Sequence, residues 1–89
     1  MSLRAKADFP ETHMVIGGTA LTMRNWQAAE SAFSEAVLLD PQLEQAWSMI
    51  VRIRAATENR KGAQDALVQG LENNPSSAPL QTLKKELGF

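Results

Sequence analysis

The sequence has no cysteine, a single histidine (His13) and no run of the roughly 18 apolar residues that a membrane-spanning helix needs. The first absence removes disulfides, thiolate zinc sites, thiol nucleophiles and covalent haem attachment together. The second removes any two-histidine metal site. Charge of one sign is also lacking, since 9 Lys and Arg stand against 10 Asp and Glu for a formal net charge of -1. Nucleic acid and anionic membrane surfaces need a basic excess to offset phosphate repulsion, so neither is an expected partner. The opening MSLRAKADFPE has no apolar core of the signal-peptide kind and leaves the compartment open. Its first three residues have the form of an expression-vector remnant.

What is present suits one small folded domain. The 89 residues are 44% hydrophobic and 21% charged, inside the globular range and outside the disordered one. A chain of this length has material for one core. Its dominant pattern is an internal repeat. Pro41 and Pro75 lie 34 residues apart, as do Ala29 and Ala63, Phe33 and Leu67, Ala36 and Gly70, and Ile16 and Ile50. Small residues match small and bulky match bulky, which divides the chain into a lead (1–9, in part vector-derived), two units (10–43 and 44–77) and a C-terminal helix (78–89).

Within each unit the apolar spacing predicts two helices. Met14, Ile16, Ala20, Leu21 and Met23 form a wide apolar face between about residues 9 and 23, opened by Asp8, Pro10 and Glu11 in a capping arrangement. Asn25 is placed to cap a second helix carrying Trp26, Ala29, Ala32, Phe33, Ala36 and Val37. Asp40-Pro41 repeats the cap-then-proline logic and is predicted to open a third helix, with Leu43, Ala46, Trp47, Ile50, Val51 and Ile53, ending near Thr57. A fourth helix with Ala63, Ala66, Leu67, Gly70 and Leu71 follows the polar turn at 58–61 and stops at Asn73-Asn74-Pro75. Ser77 caps a last helix with an apolar stripe of Leu80, Leu83 and Leu87, and Lys84, Lys85 and Glu86 facing water. The expected fold is all-α, with about five helices and no strand.

The two units resemble tetratricopeptide repeats, in which an opening aromatic, Leu-Gly and Tyr of one helix are followed by Ala, Phe, Ala and Pro of the next. Ala29, Phe33, Ala36 and Pro41 stand at all four of the later places, and Ala63, Leu67, Gly70 and Pro75 approximate them. Trp47 is the opening aromatic of the second unit, and Ile16-Gly17 replaces Leu-Gly in the first. His13 takes the place of the first aromatic, Ala20 and Arg54 replace the tyrosines, and Val51 replaces the second glycine. The resemblance covers residues 10–77. It implies antiparallel hairpins stacked as a short right-handed superhelix, with the last helix as a solenoid cap. Pentatricopeptide repeats, the RNA-binding relatives, fit less well given the near-neutral charge.

The same resemblance implies a concave groove lined by the first helix of each pair. It nominates Glu11, Met14, Gly18, Leu21 and Thr22 from unit one, and Gln45, Ser48, Met49, Arg52 and Ala55 from unit two. The Lys and Asn clamp by which some members hold acidic chaperone tails is not matched, since Met14, Gly18 and Met49 occupy the corresponding places. Methionine and leucine point to an apolar or adaptable partner. The expected role is therefore a non-catalytic module that binds a peptide or protein in this groove. The alternative is a structural docking or self-association module within a larger multi-repeat bacterial protein. Two repeats fall short of the three or so such arrays use, and Val15, Leu21 and Trp26 would leave an apolar patch on the first hairpin for a second copy or upstream repeats. PETHMVIGG and LDPQLEQAW resemble repeats attached to larger bacterial proteins, multihaem cytochromes among them, although this chain has no haem motif.

No residue is assigned to catalysis, a metal or a cofactor. His13 is read as a packing substitute for an aromatic, and Glu30, Glu35, Asp65 and Glu72 as solvating charges spread over helix faces. Gly17-Gly18 lacks the strand and the Gly-Lys-Ser/Thr of a phosphate loop and is read as a point of close helix packing. Trp26 and Trp47 are read as core. Arg52, Arg54, Arg60 and Lys61 form the densest basic cluster, read first as a solvated turn and second as a site for a carboxylate.

Overall fold

The computed structural model describes residues 9–89 and contains five helices: α1 Pro10–Thr22, α2 Trp26–Leu39, α3 Glu44–Ala56, α4 Arg60–Asn73 and α5 Ala78–Leu87. No strand occurs among the described residues. Asp8, the expected first cap, and most of the 1–9 lead lie outside them. Within them α1 begins on Pro10 with Phe9 as an uncapped N-cap residue. The 34-residue period is exact in the helix bounds: 10 to 44 and 22 to 56 for α1 and α3, 26 to 60 and 39 to 73 for α2 and α4. The start of α5 at 78 continues it from 44.

The turns repeat as closely as the helices. Arg24 and Glu58 both adopt left-handed backbone, φ 59° and 63°, at a cost of about 1 kcal/mol each for a residue with a Cβ. The reversal lets the Asn25 and Asn59 N–H groups reach back to the Ala20 and Arg54 carbonyls at 2.8 and 2.7 Å, which satisfies acceptors the ending helix leaves open. Each asparagine side chain then accepts from the backbone N–H three residues on, Ala28 at 3.3 Å and Gly62 at 3.0 Å. One residue closes a helix and the next opens another.

The Asp40-Pro41 junction departs from expectation, because α3 starts at Glu44. Asp40 instead terminates α2 through its N–H to the Ala36 carbonyl (2.9 Å), and its carboxylate accepts the Gln42 N–H at 3.1 Å. That local turn consumes the oxygen a helix cap would have used. The Pro41 carbonyl accepts from Trp47 Nε1 at 2.8 Å and Asn74 Nδ2 at 3.2 Å, and so anchors both later helices to the turn. Ser77 does cap α5, accepting from the Leu80 N–H at 3.4 Å, while its hydroxyl donates to Glu44 at 2.8 Å.

The helices pack in neighbouring pairs, α1 on α2 and α3 on α4, with α3 also against α2 and α5, and α4 against α5. Close approach rests on exchange of size between equivalent positions. A Cβ placed on Gly17 would lie 2.7–2.8 Å from the ring of Phe33. At the positions 34 residues on stand Val51 and Leu67, both buried: the smaller Leu leaves room for the valine. Gly70 likewise meets the Trp47 side chain and Leu80 at 3.0 Å, where the first unit has Ala36, His13 and Ala46. The missing second glycine therefore does not loosen the core, because its partner shrinks in compensation.

The two glycines of α1 should respond in opposite directions to the same substitution. Gly17→Ala forces a methyl against the buried Phe33 ring and is expected to cost about 1–2 kcal/mol after its gain in helix propensity. Gly18→Ala has nothing within 4 Å of its new Cβ and is expected to stabilise by up to about 1 kcal/mol. Urea unfolding of the pair tests this; shifts of the same sign would contradict the account of Gly17.

Candidate functional site

Along α1 and α3 the residues at i, i+4 and i+7 that point away from α2 and α4 meet in a hollow of about 440 Å³. Its walls are Met14, Gly18 and Leu21 of α1 and Gln45, Ser48, Met49 and Arg52 of α3, with Phe33 at the floor and Pro79 of α5 at one end. Seven of the ten residues nominated from the sequence are thus brought together. Glu11, Thr22 and Ala55 are not among the lining. Thr22 turns its hydroxyl onto the Gly18 carbonyl of its own helix at 3.1 Å, Ala55 packs at the edge of the core, and Glu11 is exposed in the first turn.

Phe33 and Pro79 were not nominated. The signal for Phe33 was the glycine opposite it, which lets the ring reach through to the concave side. The signal for Pro79 was the repeat itself, since it stands 34 residues after Gln45.

Two features of this hollow have no explanation in the packing of the chain on itself. Gly18, mid-helix and exposed, has open space where a side chain would be, although glycine there costs about 1 kcal/mol against alanine. The expectation that both glycines serve helix packing holds for Gly17 alone. Ser48 is 6% exposed and its hydroxyl has no hydrogen-bond partner. The remaining lining is mainly methionine, leucine and phenylalanine, which offer a deformable apolar surface. Arg52 lies 3.9 Å from Glu86 of α5, with both side chains more than half exposed, a pairing weak enough to be displaced.

The basic cluster does not form one site. Arg54 turns to α2, with Nε 3.0 Å from Glu30 and Nη1 donating to the Gly62 carbonyl at 3.1 Å. Arg60 reaches the C-terminal end, donating to the Leu87 carbonyl and lying 4.8 Å over the Phe89 ring. Helical geometry sends these arginines in different directions, so adjacency in sequence is not adjacency in space. Trp47 is core as expected, whereas Trp26 is 39% exposed and is not. Leu21, expected on an end patch, is half-buried in the hollow. His13 is half-buried on α1.

A larger recess of about 620 Å³ lies in the seam of α4 and α5, lined by Leu71, Pro75, Gln81, Lys84, Lys85, Gly88 and Phe89. It has no counterpart to Gly18 or Ser48, and it draws on the second unit and the cap alone. The concave hollow is the better candidate because both units and α5 build it. Among the described residues no group of three His, Cys, Asp or Glu side chains is placed to hold a metal ion, and no helix is long and apolar enough to cross a membrane. Comparison of the chain with protein-family models, curated proteins and solved structures finds no match.

Ser48→Ala removes a hydroxyl that the fold does not use, so it is expected to leave stability unchanged or to raise it by up to about 1 kcal/mol. Ser77→Ala removes a cap and an inter-helix bond and is expected to cost about 1–2 kcal/mol. Thermal unfolding distinguishes them; a comparable loss in both would mean that Ser48 is satisfied within the fold.

Proposed function

We propose that this chain is a non-catalytic binding module of the tetratricopeptide-repeat kind, which holds a peptide or protein segment in the concave hollow between α1 and α3. The observation that carries the reading is the pairing, in that hollow, of an open mid-helix glycine with a buried hydroxyl that lacks a partner. A ligand backbone lying close over Gly18 accounts for the glycine. A carbonyl or amide from the same ligand would satisfy Ser48, with the Gln45 amide one turn away to add a second polar contact. Met14, Leu21, Met49 and Phe33 then take up an apolar side chain, the usual source of affinity in a small groove.

The exact 34-residue period in helices and turns, and the residues at 29, 33, 36 and 41, support the family assignment. The chemistry of the hollow supports contact rather than turnover: its one charged group is Arg52, and no acid or histidine lines it.

Peptides selected from a random display library on the immobilised protein provide the test. Binding to the wild type is expected to weaken more than tenfold in Met14→Glu and Met49→Glu variants that retain full helicity, the equivalent of about 1.4 kcal/mol or more. Equal binding by wild type and variants, or no selected binder at millimolar protein, would overturn the reading.

A further inference from the structure

Helix α1 is apolar on every side. From Thr12 to Thr22 it carries no Asp, Glu, Lys or Arg, and its apolar residues do not gather on one face. Gly17 and Ala20 are buried toward α2, Met14 and Leu21 line the hollow, and Val15 and Ile16 point away from both, 68% and 48% exposed. Met23, just past the helix, is 74% exposed. These residues flank a shallow depression of about 310 Å³ with Thr19, Ala20 and Asn25. A helix that is apolar all round belongs to an interior.

The second unit shows what covers this face. Ile50 stands 34 residues after Ile16 and is 2% exposed. It shares a hollow with Ser34, Val37 and Leu38 of α2, and four residues on Arg54 pairs with Glu30 of the same helix. At the position of Arg54, α1 has Ala20, and no charged side chain lines the depression. The seat is therefore helix-shaped, as in unit two, but uncharged. An uncharged patch is the kind that can pair with itself, because a two-fold axis brings each group against its own copy and like charges there are costly.

We propose that the chain associates as a two-fold dimer in which the Val15, Ile16 and Met23 face of α1 packs on α1 of a second copy. This inference is independent of the groove reading, since Met14, Gly18 and Leu21 lie on another side of the helix. A 13-residue helix is about 20 Å long, which puts the contact at the small end of specific interfaces and makes the dimer concentration-dependent. Pairing through α1 would hold two concave hollows in a fixed relation, so that a divalent ligand gains by avidity.

Sedimentation equilibrium between about 10 µM and 1 mM tests the proposal on the wild type, Val15→Glu, Ile16→Glu and, as a groove control, Met49→Glu, each checked for helicity. Val15 is two-thirds exposed, so its variant keeps the fold even if Ile16→Glu does not. The wild type and Met49→Glu are expected to double in mass across the range while Val15→Glu remains at monomer mass. A wild type that stays monomeric to 1 mM overturns the proposal, as does a Val15→Glu variant that dimerises like the wild type.

Discussion

The contact on which the structure depends is that of the Phe33 ring with the bare backbone at Gly17. It brings α1 and α2 together closely enough for the ring to become the floor of the concave hollow. The same helix spacing is reached in the second unit by a different division of volume, Val51 with Leu67, and again across the units by Gly70 with Trp47 and Leu80. What the repeat conserves is the sum at each meeting point, because interiors tolerate redistribution of volume better than a change in it.

Around that constraint the helices carry unequal loads. α3 packs on α2, α4 and α5, and buries Ala46, Trp47, Ser48, Ile50, Val51 and Ile53. Each large apolar side chain among them contributes about 1.5–3 kcal/mol by leaving water. α1 buries Gly17 and Ala20 alone. The polar fastenings follow the same distribution: the Pro41 carbonyl holds Trp47 and Asn74, Ser77 joins α5 to Glu44, and Arg54 joins α3 to Glu30. None of these ties reaches α1, whose position rests on its packing against α2. The helix that builds half of the candidate binding surface is therefore also the one with the most surface left to cover.

The fold was legible because period and periodicity are read from residue type alone. Asn25 and Ser77 announced their helices through side chains that can accept a backbone N–H, and they do so in the structure. Asp40-Pro41 misled because the same carboxylate serves a turn as well as a cap, and only the path of the following residues decides between them. The candidate site was partly legible: helical spacing brought Met14, Gly18, Leu21, Gln45, Ser48, Met49 and Arg52 together. Which of the two adjacent glycines packs and which stays open was not, since that depends on where a ring three turns into another helix arrives. Trp26 and Trp47 show the same limit, having identical chemistry in sequence and opposite exposure in space. Trp47 has α2 and α4 beside it and a carbonyl for its indole N–H.

The central claim is that α3 is the clamped element and α1 is held from one side. Hydrogen exchange of backbone amides, followed residue by residue in dilute monomeric protein, measures this most directly, because local opening free energies report how much packing each helix would lose. The account predicts the slowest exchange in α3, at Ile50, Val51 and Ile53, and the fastest helical exchange in α1 around Ile16 and Gly18. Protection of α1 equal to that of α3 under those conditions would contradict it.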